Sequence, residues 1–360
     1  MHPTRLQLIE GCLLGCAVGD AIGLPYEGMS TRRARRFARL PLEHRFLLGY
    51  GMVSDDTDHS VFVAQAMLRG QGDADRFRAA LAWRFLLWFV CLPAGIGWAT
   101  LRGIVRLWLG MRRSGVFSAG NGPSMRSAII GTTWSRDAKR RRAHVYTSTL
   151  LTHTDPKAFA GALAVAEVAA QLVSGSWKQK PDIDTFISLL AGIAADTSWQ
   201  EVVAGMRAAC TSADPMAFAL QQFGSPQGIS GYVLHSVPFA LLAWYHHFGD
   251  YRATIESITQ AGGDVDTVAA IAGALAGATS GTDGIPRSWI NHLADWPHST
   301  DYLRALAAGL VACDPQTNDP VPQTPAVNVN TRFSPWLFPR GILFTTVVLL
   351  HGLRRLLPPY

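Results

Sequence analysis

Charged side chains are scarce in this chain. Asp, Glu, Lys and Arg make up 16% of its 360 residues, whereas hydrophobic residues make up 48%. Disordered chains show the opposite balance and collagen-like chains need Gly at every third position, so both classes match poorly. The excess of 32 Lys and Arg over 26 Asp and Glu is small, attracts anions in general and identifies no single partner. The composition predicts a folded globular protein with a substantial core.

The sequence also lacks paired cysteines and long apolar runs. Its five cysteines form no CxxC pair, which argues against a zinc site or a disulfide framework and fits a reducing cytoplasm. Glu10 and Asp20 interrupt the first apolar stretch, so no secretory signal peptide is indicated. The apolar stretches 86–91 and 341–353 fall short of the ~20 residues that a spanning helix needs. We expect a cytoplasmic protein without a transmembrane segment, in which both stretches form buried or interfacial helices.

Apolar residues recur three and four positions apart through most of the chain, which predicts a nearly all-α fold. A compact multi-helix bundle is therefore expected. The predicted helices lie near 5–18, 57–70, 75–91, 98–112, 123–132, 156–173, 183–195, 199–210, 214–223, 231–247, 251–260, 266–279 and 301–312. The 266–279 stretch is so rich in small residues that neighbouring backbones can approach it closely, which places it at the centre of the bundle.

The composition changes near residue 313. From 314 to 332 the chain is rich in Asp, Pro, Gln, Thr and Asn, which favours a linker. We therefore predict a main domain over 1–313, the linker over 314–332 and a hydrophobic tail over 333–360. The apolar side chains of the tail need cover from the main domain, a second chain or a membrane surface, and docking on the main domain is the simplest of these.

Two acidic clusters lie about two hundred residues apart, and each precedes or begins a predicted helix. They are SDDTD at 54–58 and GGDVDT at 262–267. Ser and Asp are good N-cap residues and acids are favoured at helix N-termini, so capping explains either cluster alone. Capping does not explain why both clusters pair carboxylates beside hydroxyl residues in a chain that is poor in charge.

If the two clusters meet in space, the carboxylates of Asp55, Asp56, Asp264 and Asp266 repel one another unless they are protonated or bind a cation. Oxygen ligands without His or Cys suit hard ions, so Mg²⁺ is the first choice and Mn²⁺ the second. Two ions that share Asp266 are conceivable.

Two glycine segments, at 120–122 and 228–231, stand just ahead of predicted helices. Free N–H groups at such helix starts bind phosphate, although Gly and Pro also make ordinary turns. His153 precedes another helix and could donate to an anion, although a single His is more often a capping or packing residue. The basic runs at 32–36 and 139–142 could engage nucleic acid or an acidic partner, but such runs are more often solvated faces, and no firm sign of nucleic-acid binding results.

Taken in order, these motifs resemble the signatures of the ADP-ribosylglycohydrolases, the group that contains dinitrogenase reductase-activating glycohydrolase. The resemblance covers about residues 5–290, and the SDDT and GGDxDT motifs are its most specific part. In this chain Ser54 stands where Thr is more common, Val265 replaces another common Thr, and the tail has no recognised counterpart. The matching segments are 11–27, 54–57, 120–122, Met125-Arg126, His153, 230–235 and 262–267.

The resemblance implies a binuclear Mg²⁺ or Mn²⁺ centre that holds the distal ribose of ADP-ribose. Glu27 matches an acidic residue on a loop that gates the cleft and approaches the scissile bond. The implied metal ligands are Ser54, Asp55, Asp56, Asp264, Asp266 and Thr267. The implied substrate contacts are Asn121, Gly122 and His153 at the diphosphate and Gly231 and Tyr232 at the adenosine.

The implied activity is metal-assisted hydrolysis of the bond between C1″ of ADP-ribose and a modified side chain, with free ADP-ribose as product. An ADP-ribosylated protein, modified at the guanidinium nitrogen of arginine, is the preferred substrate; a serine linkage, another acceptor or a nucleic-acid base stays open. Asp55 is the preferred residue for orienting water, and Glu27 competes with it. A non-catalytic ADP-ribose-binding or structural protein of the same fold is the alternative, against which the retained carboxylates argue.

Overall fold

The computed structural model describes residues 3–46, 48–294, 296–313 and 329–354. Within these ranges the chain forms eighteen α-helices and one two-stranded antiparallel ribbon, so the all-α prediction is confirmed. The ribbon pairs β1 (Gly224–Ser225) with β2 (Gly228–Ile229). The helices are α1 (Arg5–Gly23), α2 (Thr31–Phe37), α3 (Asp55–Gly70), α4 (Ala74–Val90), α5 (Trp98–Trp108), α6 (Gly122–Met125), α7 (Ala128–Thr133), α8 (Ala138–Leu150), α9 (Pro156–Ser174), α10 (Ile183–Ala191), α11 (Thr197–Thr211), α12 (Pro215–Phe223), α13 (Val233–His246), α14 (Tyr251–Thr259), α15 (Val265–Ser280), α16 (Arg287–Asn291), α17 (Thr300–Ala312) and α18 (Leu337–Arg354).

The predicted helices and the observed ones differ in two informative ways. A single helix predicted over 123–132 is wrong: α6 ends at Met125 and α7 starts at Ala128, while the Arg126 side chain turns into a buried hydrogen-bond network. The periodicity also missed α2 and α8, which contain the two basic runs. Consecutive arginines hide the apolar spacing of a helix. Both runs lie on helices, as expected, but only partly on solvated faces, because Arg141 of the second run is buried and pairs with Glu167 over 2.6 Å.

The centre of the bundle is the contact between α1 and α15. Glycines of each helix face the backbone of the other, and a Cβ built on Gly277 would lie 1.9 Å from the carbonyl oxygen of Gly11. At Gly15 and Gly19 the corresponding distances to backbone oxygens of α15 are 2.2 and 2.1 Å. The Tyr251 hydroxyl adds a hydrogen bond of 2.6 Å to the Gly15 carbonyl. The central position predicted for 266–279 is therefore confirmed.

Side-chain caps define many of the helix starts. Ser54 caps α3, Asp155 caps α9 and Ser299 caps α17, each accepting a hydrogen bond from a backbone N–H of the first turn. Such caps satisfy donors that have no partner within the helix. At α15 the N-cap residue Asp264 makes no such bond, so its carboxylate is available for other contacts.

The tail helix α18 docks on the main domain through an ion-pair network. Arg340 is buried and donates to the backbone carbonyl of Val53 and, over 3.4 Å, to the carboxylate of Asp58, which also accepts from His298 and Trp88. Burial alone raises the pKa of Asp58, but the charge of Arg340 and these hydrogen bonds outweigh burial and lower that pKa to about 2. Docking of the tail on the main domain is thus observed for residues 333–354.

The division of the chain at 313 stays a prediction. Residues 314–328 of the predicted linker, and residues 355–360 of the tail, lie outside the described residues. Two described stretches, Arg5–Tyr26 and Pro156–Ser174, are long and apolar enough to cross a membrane, but 94% and 72% of their most apolar windows are buried inside the fold. Helices buried to this degree are typical of a protein core, and they are weak support for a membrane span.

The α1–α15 contact gives a prediction about stability. Gly277→Ala places a methyl group against the Gly11 carbonyl, so the helices must separate, and we expect the free energy of unfolding to fall by at least about 1–3 kcal/mol. Urea denaturation measures this change. Gly352→Ala in α18, where a Cβ meets nothing within 4 Å, is the matched control and should be neutral or slightly stabilising. Equal stability of both variants would contradict the packing argument.

Candidate active site

A cavity of about 490 Å³ opens beside the N-termini of α3 and α15. Its lining combines carboxylates with glycines and small polar residues. Gly95 and Gly97 of the preceding loop and the first three residues of α5 form part of its wall. The lining residues from the predicted motifs are Glu27, Asp55, Asn121, Gly122, His153, Gly231, Asp264, Asp266 and Thr267.

Backbone hydrogen bonds hold the motif segments together around this cavity. Gly28 and Met29 exchange backbone bonds of 2.8 Å with Gly263, and Ile229 bonds on both sides of the same glycine, to Gly262 and Asp264. On the opposite side, the backbone N–H of Asn121 donates to the Gly231 carbonyl over 3.0 Å. Segments that are far apart in sequence are therefore held together around one cavity by backbone hydrogen bonds.

Glycine is required at 262 and 263. Both residues have positive φ, +74° and +86°, a conformation that side chains disfavour. A Cβ on Gly263 would also lie 2.0 Å from the Ile229 carbonyl oxygen, and one on Gly262 would lie 2.5 Å from that of Met29. The pair thus lets two neighbouring backbones close on the segment that carries Asp264 and Asp266.

Asp20 anchors the other acidic cluster, although sequence reasoning did not select it as a site residue. Its Oδ2 accepts hydrogen bonds from the backbone N–H groups of Ser54 (2.9 Å) and Thr57 (3.2 Å) and from the Thr57 hydroxyl (2.6 Å). Burial raises the pKa of Asp20 to about 7, against the lowering effect of these bonds. A carboxylate within the apolar C-terminal half of α1 was the signal that could have identified it.

The two acidic clusters meet in space. The hydroxyl of Thr267 donates to Oδ2 of Asp56 over 3.3 Å, across 211 positions of sequence, and the Ser54 hydroxyl donates to the same oxygen over 3.0 Å. The Oδ1 atoms of Asp56 and Asp266 are buried and have no hydrogen-bond partner. Buried oxygens without a donor are costly unless a proton or a cation satisfies them.

The electrostatics of these carboxylates agree with their crowding. Burial raises the pKa of Asp56, and the neighbouring charges of Asp55, Asp20 and Asp264 raise it further. Burial and the charges of Glu27, Asp56, Asp264 and Asp20 likewise raise the pKa of Asp266. The pKa values of Asp55 and Asp264 are raised too, again with burial as the first cause. Each carboxylate makes ionisation of its neighbours harder.

The donor set fits a hard divalent cation. It contains carboxylate and hydroxyl oxygens, two of them without a partner, and no sulfur or imidazole. Among the residues that the structure describes, no three Cys, His, Asp or Glu side chains are gathered closely enough to enclose an ion as they stand. A cation at this position is therefore an inference from donor chemistry and charge.

Asn121 and Tyr232 were both predicted to contact substrate, and the structure places them differently. The Asn121 side chain lines the cavity and donates to Oδ2 of Asp264 over 2.6 Å. Tyr232 joins the site through its backbone, which bridges to Gly120, and its ring packs against His235. The Tyr232 side chain does not line the cavity, so its adenosine contact stays a prediction.

His153 is buried at the cavity wall in a neutral form. Burial, followed by the charges of Arg126 and Arg102, lowers the pKa of His153 to about 3. Thr152 Oγ1 accepts from Arg126 over 2.8 Å and lies 2.8 Å from Nδ1 of His153, a geometry in which the Thr152 hydroxyl can donate to that nitrogen. We infer that Nε2 carries the ring proton. That atom lies next to Gly120, where a Cβ would be 2.9 Å from it, so a neutral N–H donor borders the glycine segment.

Glu27 stands at the mouth of the cavity on the exposed loop after α1. Its charge raises the pKa values of both Asp55 and Asp266, which shows that it lies close to both clusters. Trp98 and Thr100 also line the cavity and were not selected from the sequence. In the sequence, their segment looks like the ordinary start of a helix with aromatic residues, so nothing there indicated a binding role.

Comparisons with known proteins agree with this geometry. Residues 1–319 match the family model described as ADP-ribosylglycohydrolase. The chain is 25% identical to an ADP-ribosyl-[dinitrogen reductase] glycohydrolase of Rhodospirillum rubrum, over 79% of this chain and 89% of that protein. It is 27% identical to ADP-ribosylhydrolase ARH3 of Gallus gallus, over 80% and 88%.

A protein of Archaeoglobus fulgidus without a described function is 30% identical, over 84% of this chain and 96% of its own length. A solved structure called ADP-ribosylglycohydrolase-related protein complex has a TM-score of 0.64 and 24% identity, covering 86% of this chain and 98% of that chain, which supports the fold alone. The family model spans most of the sequence. The chain therefore belongs to the ADP-ribosylglycohydrolase family and is a hydrolase of the glycosidase type.

Proposed function

We propose that this protein removes ADP-ribose from arginine side chains by metal-dependent hydrolysis of the bond between C1″ and the guanidinium nitrogen. One observation carries the proposal: four aspartates from two remote clusters converge, since Asp55, Asp264 and Asp266 line one cavity and the buried Asp56 accepts a hydrogen bond from Thr267 of the same lining. A fold does not gather such repelling charges without a use for them, because each pays a desolvation penalty. We place the reaction in the cytoplasm.

The oxygens of Ser54, Asp55, Asp56, Asp264, Asp266 and Thr267 would hold the cations, two Mg²⁺ ions first and Mn²⁺ second. Bound cations would neutralise the carboxylates and orient the hydroxyls of the distal ribose. The shared contacts of Asp56 with Ser54 and Thr267 keep donors from both clusters in one place. Asp20 positions α3 for this task by holding the backbone of Ser54 and Thr57.

Asp55 and Glu27 are the residues that we assign to the bond-breaking step. As the C1″–N bond breaks, the ribose ring gains positive charge, which nearby carboxylates stabilise. Water then forms the new C1″–O bond and gives up a proton, while the departing guanidine takes a proton and leaves as guanidinium. Asp55 lines the cavity within the carboxylate group and is our choice for orienting and deprotonating the water; Glu27, at the mouth, is the competing choice.

The charge of the site favours an arginine acceptor. Glu27 is exposed and lines the cavity, so its negative charge would attract a guanidinium there. A serine acceptor is neutral and gains nothing from this charge. The relatives named above support ADP-ribosyl hydrolysis as such and leave the acceptor open.

A panel of substrates with defined linkages tests the proposal. With Mg²⁺ or Mn²⁺ we expect the protein to release free ADP-ribose from an ADP-ribosyl-arginine peptide faster than from a serine-linked one, and a chelator should stop the release. Asp266→Asn removes one charge from the proposed ligand set and should lower kcat by on the order of 100-fold or more. Chromatography of the released ADP-ribose measures both effects.

Asp283→Asn is the matched control, because Asp283 is exposed on a turn after α15, and it should keep full activity. Helical content by circular dichroism should be unchanged in both variants. Full activity of Asp266→Asn, or activity that survives the chelator, would rule out the metal assignment. Tight binding of ADP-ribose without release from any linkage would instead identify a non-catalytic binding protein.

The raised pKa values predict how pH affects the metal-free protein. A carboxyl whose pKa is higher in the folded state than in the unfolded state stabilises the fold at low pH, and this contribution is lost as pH rises through the folded value. The window starts near the ordinary Asp pKa of about 4 and extends to about 7 for Asp20. In chelator, the melting temperature should therefore fall between about pH 5 and about pH 7.

Saturating Mg²⁺ should reverse this trend, since cation binding requires ionised ligands and strengthens as pH rises. Asp266→Asn, with one carboxyl fewer, should show a shallower decline in chelator than the unmodified protein. Differential scanning calorimetry at several pH values measures both. A melting temperature that stays constant in chelator across this range would show that the pKa values of these carboxyls are not raised in the folded protein.

The tautomer of His153 gives a prediction about substrate binding. Thr152→Val removes the hydroxyl that donates to Nδ1, so the Nε2–H donor next to Gly120 is no longer fixed. If that donor binds the diphosphate, KM should rise about tenfold, equivalent to one hydrogen bond to a charged group, with kcat nearly unchanged. Thr154→Val, at the exposed position directly after His153, is the control. An unchanged KM in a folded Thr152→Val protein would remove His153 from substrate binding.

A further inference from the structure

The outer face of α18 is apolar and exposed. Its inner face packs Leu337, Phe344 and Val347 against the main domain, as the docking described above requires. A helix that covers a domain normally turns polar residues to water, yet Ile342, Leu349, Leu350 and Leu353 are 48–61% exposed. Phe338, Leu343 and the preceding Trp336 extend the same face.

This face continues onto the main domain. Ile342 and Thr346 of α18 share an apolar depression of about 770 Å³ with Phe89 and Val90 of α4, Leu92 of the following loop and Trp108 of α5. Leu109 and Met111, just beyond α5, are also exposed. We call the exposed apolar residues of α18, of the end of α4 and of α5 to Met111 the apolar platform. Exposed apolar side chains that cluster in this way are typical of interaction sites.

The platform is also free of carboxylates. No Asp or Glu occurs between Asp75 and Asp137, a stretch that carries nine arginines, and none occurs from 329 to 354. Arg112 and Arg113 are exposed directly after Met111, and Arg102 is exposed on α5 with its guanidinium over the Trp98 ring, 5.9 Å from the ring centroid. Apolar side chains, tryptophans and arginines therefore occupy one surface that has no acidic residue of its own.

We propose that the apolar platform binds the surface of an anionic lipid bilayer. Aliphatic side chains and tryptophan insert at the boundary between headgroups and acyl chains, and arginines pair with the phosphates of acidic lipids. The buried ion pair of Arg340 with Asp58 keeps α18 on the domain, so the helix lies in the interface and does not cross the bilayer. A second copy of the chain fits less well, because its own arginines would meet these.

The platform shares a wall with the catalytic cavity. Gly95, Gly97 and Trp98 line the cavity, whereas Ile96, between them, lines the apolar depression. A bilayer on the platform would thus lie beside the cleft, where it could bring modified proteins at a membrane within reach. This inference does not depend on which ADP-ribosyl linkage the site cleaves.

Sedimentation of the full-length protein with lipid vesicles tests the proposal. We expect at least tenfold stronger binding to vesicles of phosphatidylcholine with phosphatidylglycerol than to phosphatidylcholine alone, and loss of most of that preference between about 0.05 and about 0.5 M salt. The double variant Ile342→Glu/Leu349→Glu should bind at least tenfold more weakly. Arg112→Glu/Arg113→Glu should lose the preference for anionic lipid while keeping some binding.

Leu40→Glu, which changes an exposed apolar residue outside the platform, should bind as the unmodified protein does. Unchanged melting temperatures in all variants show that the folds are intact, and the arginine pair serves if the α18 variant fails to fold. No binding to either kind of vesicle would overturn the proposal. So would equal binding to both, or a dimer in gel filtration that Ile342→Glu/Leu349→Glu converts to a monomer.

Discussion

The close contact between α1 and α15 is the constraint on which the site depends. Glycines at the crossing allow backbone to meet backbone, and no side chain larger than hydrogen fits at Gly11, Gly15 or Gly277 without moving a helix. This contact fixes the C-terminal end of α1 relative to the N-terminal end of α15. Asp20 and the Glu27 loop come from the end of α1, and Asp264 and Asp266 come from the start of α15. Close packing of small residues in the core thus places the acids that carry the chemistry.

The same arrangement creates an electrostatic cost that the fold only partly relieves. Hydroxyl and backbone donors satisfy Oδ2 of Asp20 and of Asp56, but Oδ1 of Asp56 and of Asp266 receive no hydrogen bond. Raised pKa values are the response of a site that has too many carboxylates for its donors. A divalent cation would supply the missing positive charge to several of these oxygens at once, whereas a proton satisfies only one. The excess negative charge is therefore consistent with a site that binds a divalent cation.

Sequence reasoning identified most of the site because its parts are short and local. Paired acids beside hydroxyls at a helix start, and a Gly-Gly step before them, are visible without a structure, and the convergence predicted from them is observed between Asp56 and Thr267. Asp20 was missed because its role is set by α3, which approaches it from elsewhere in the chain. The position of the Tyr232 ring was equally hidden, since it depends on packing against His235. The break between α6 and α7 follows from a buried network around Arg126 that no periodicity reports.

Helix α3 joins the site to the tail. In its first turn Asp55 lines the cavity and Asp56 accepts hydrogen bonds from Ser54 and Thr267, whereas Asp58 pairs with Arg340 of α18. Three acids lie within four residues, yet their environments differ: burial and like charge raise the pKa values of the first two, and the guanidinium lowers that of the third to about 2. The cluster that looked uniform in sequence is therefore divided between catalysis and docking. Since Arg340 also donates to the carbonyl of Val53, directly before Ser54, the tail helix supports the backbone that carries the proposed ligands. If α18 contacts a membrane, the Arg340–Asp58 pair would connect that surface to the first turn of α3, which carries Asp55 of the site.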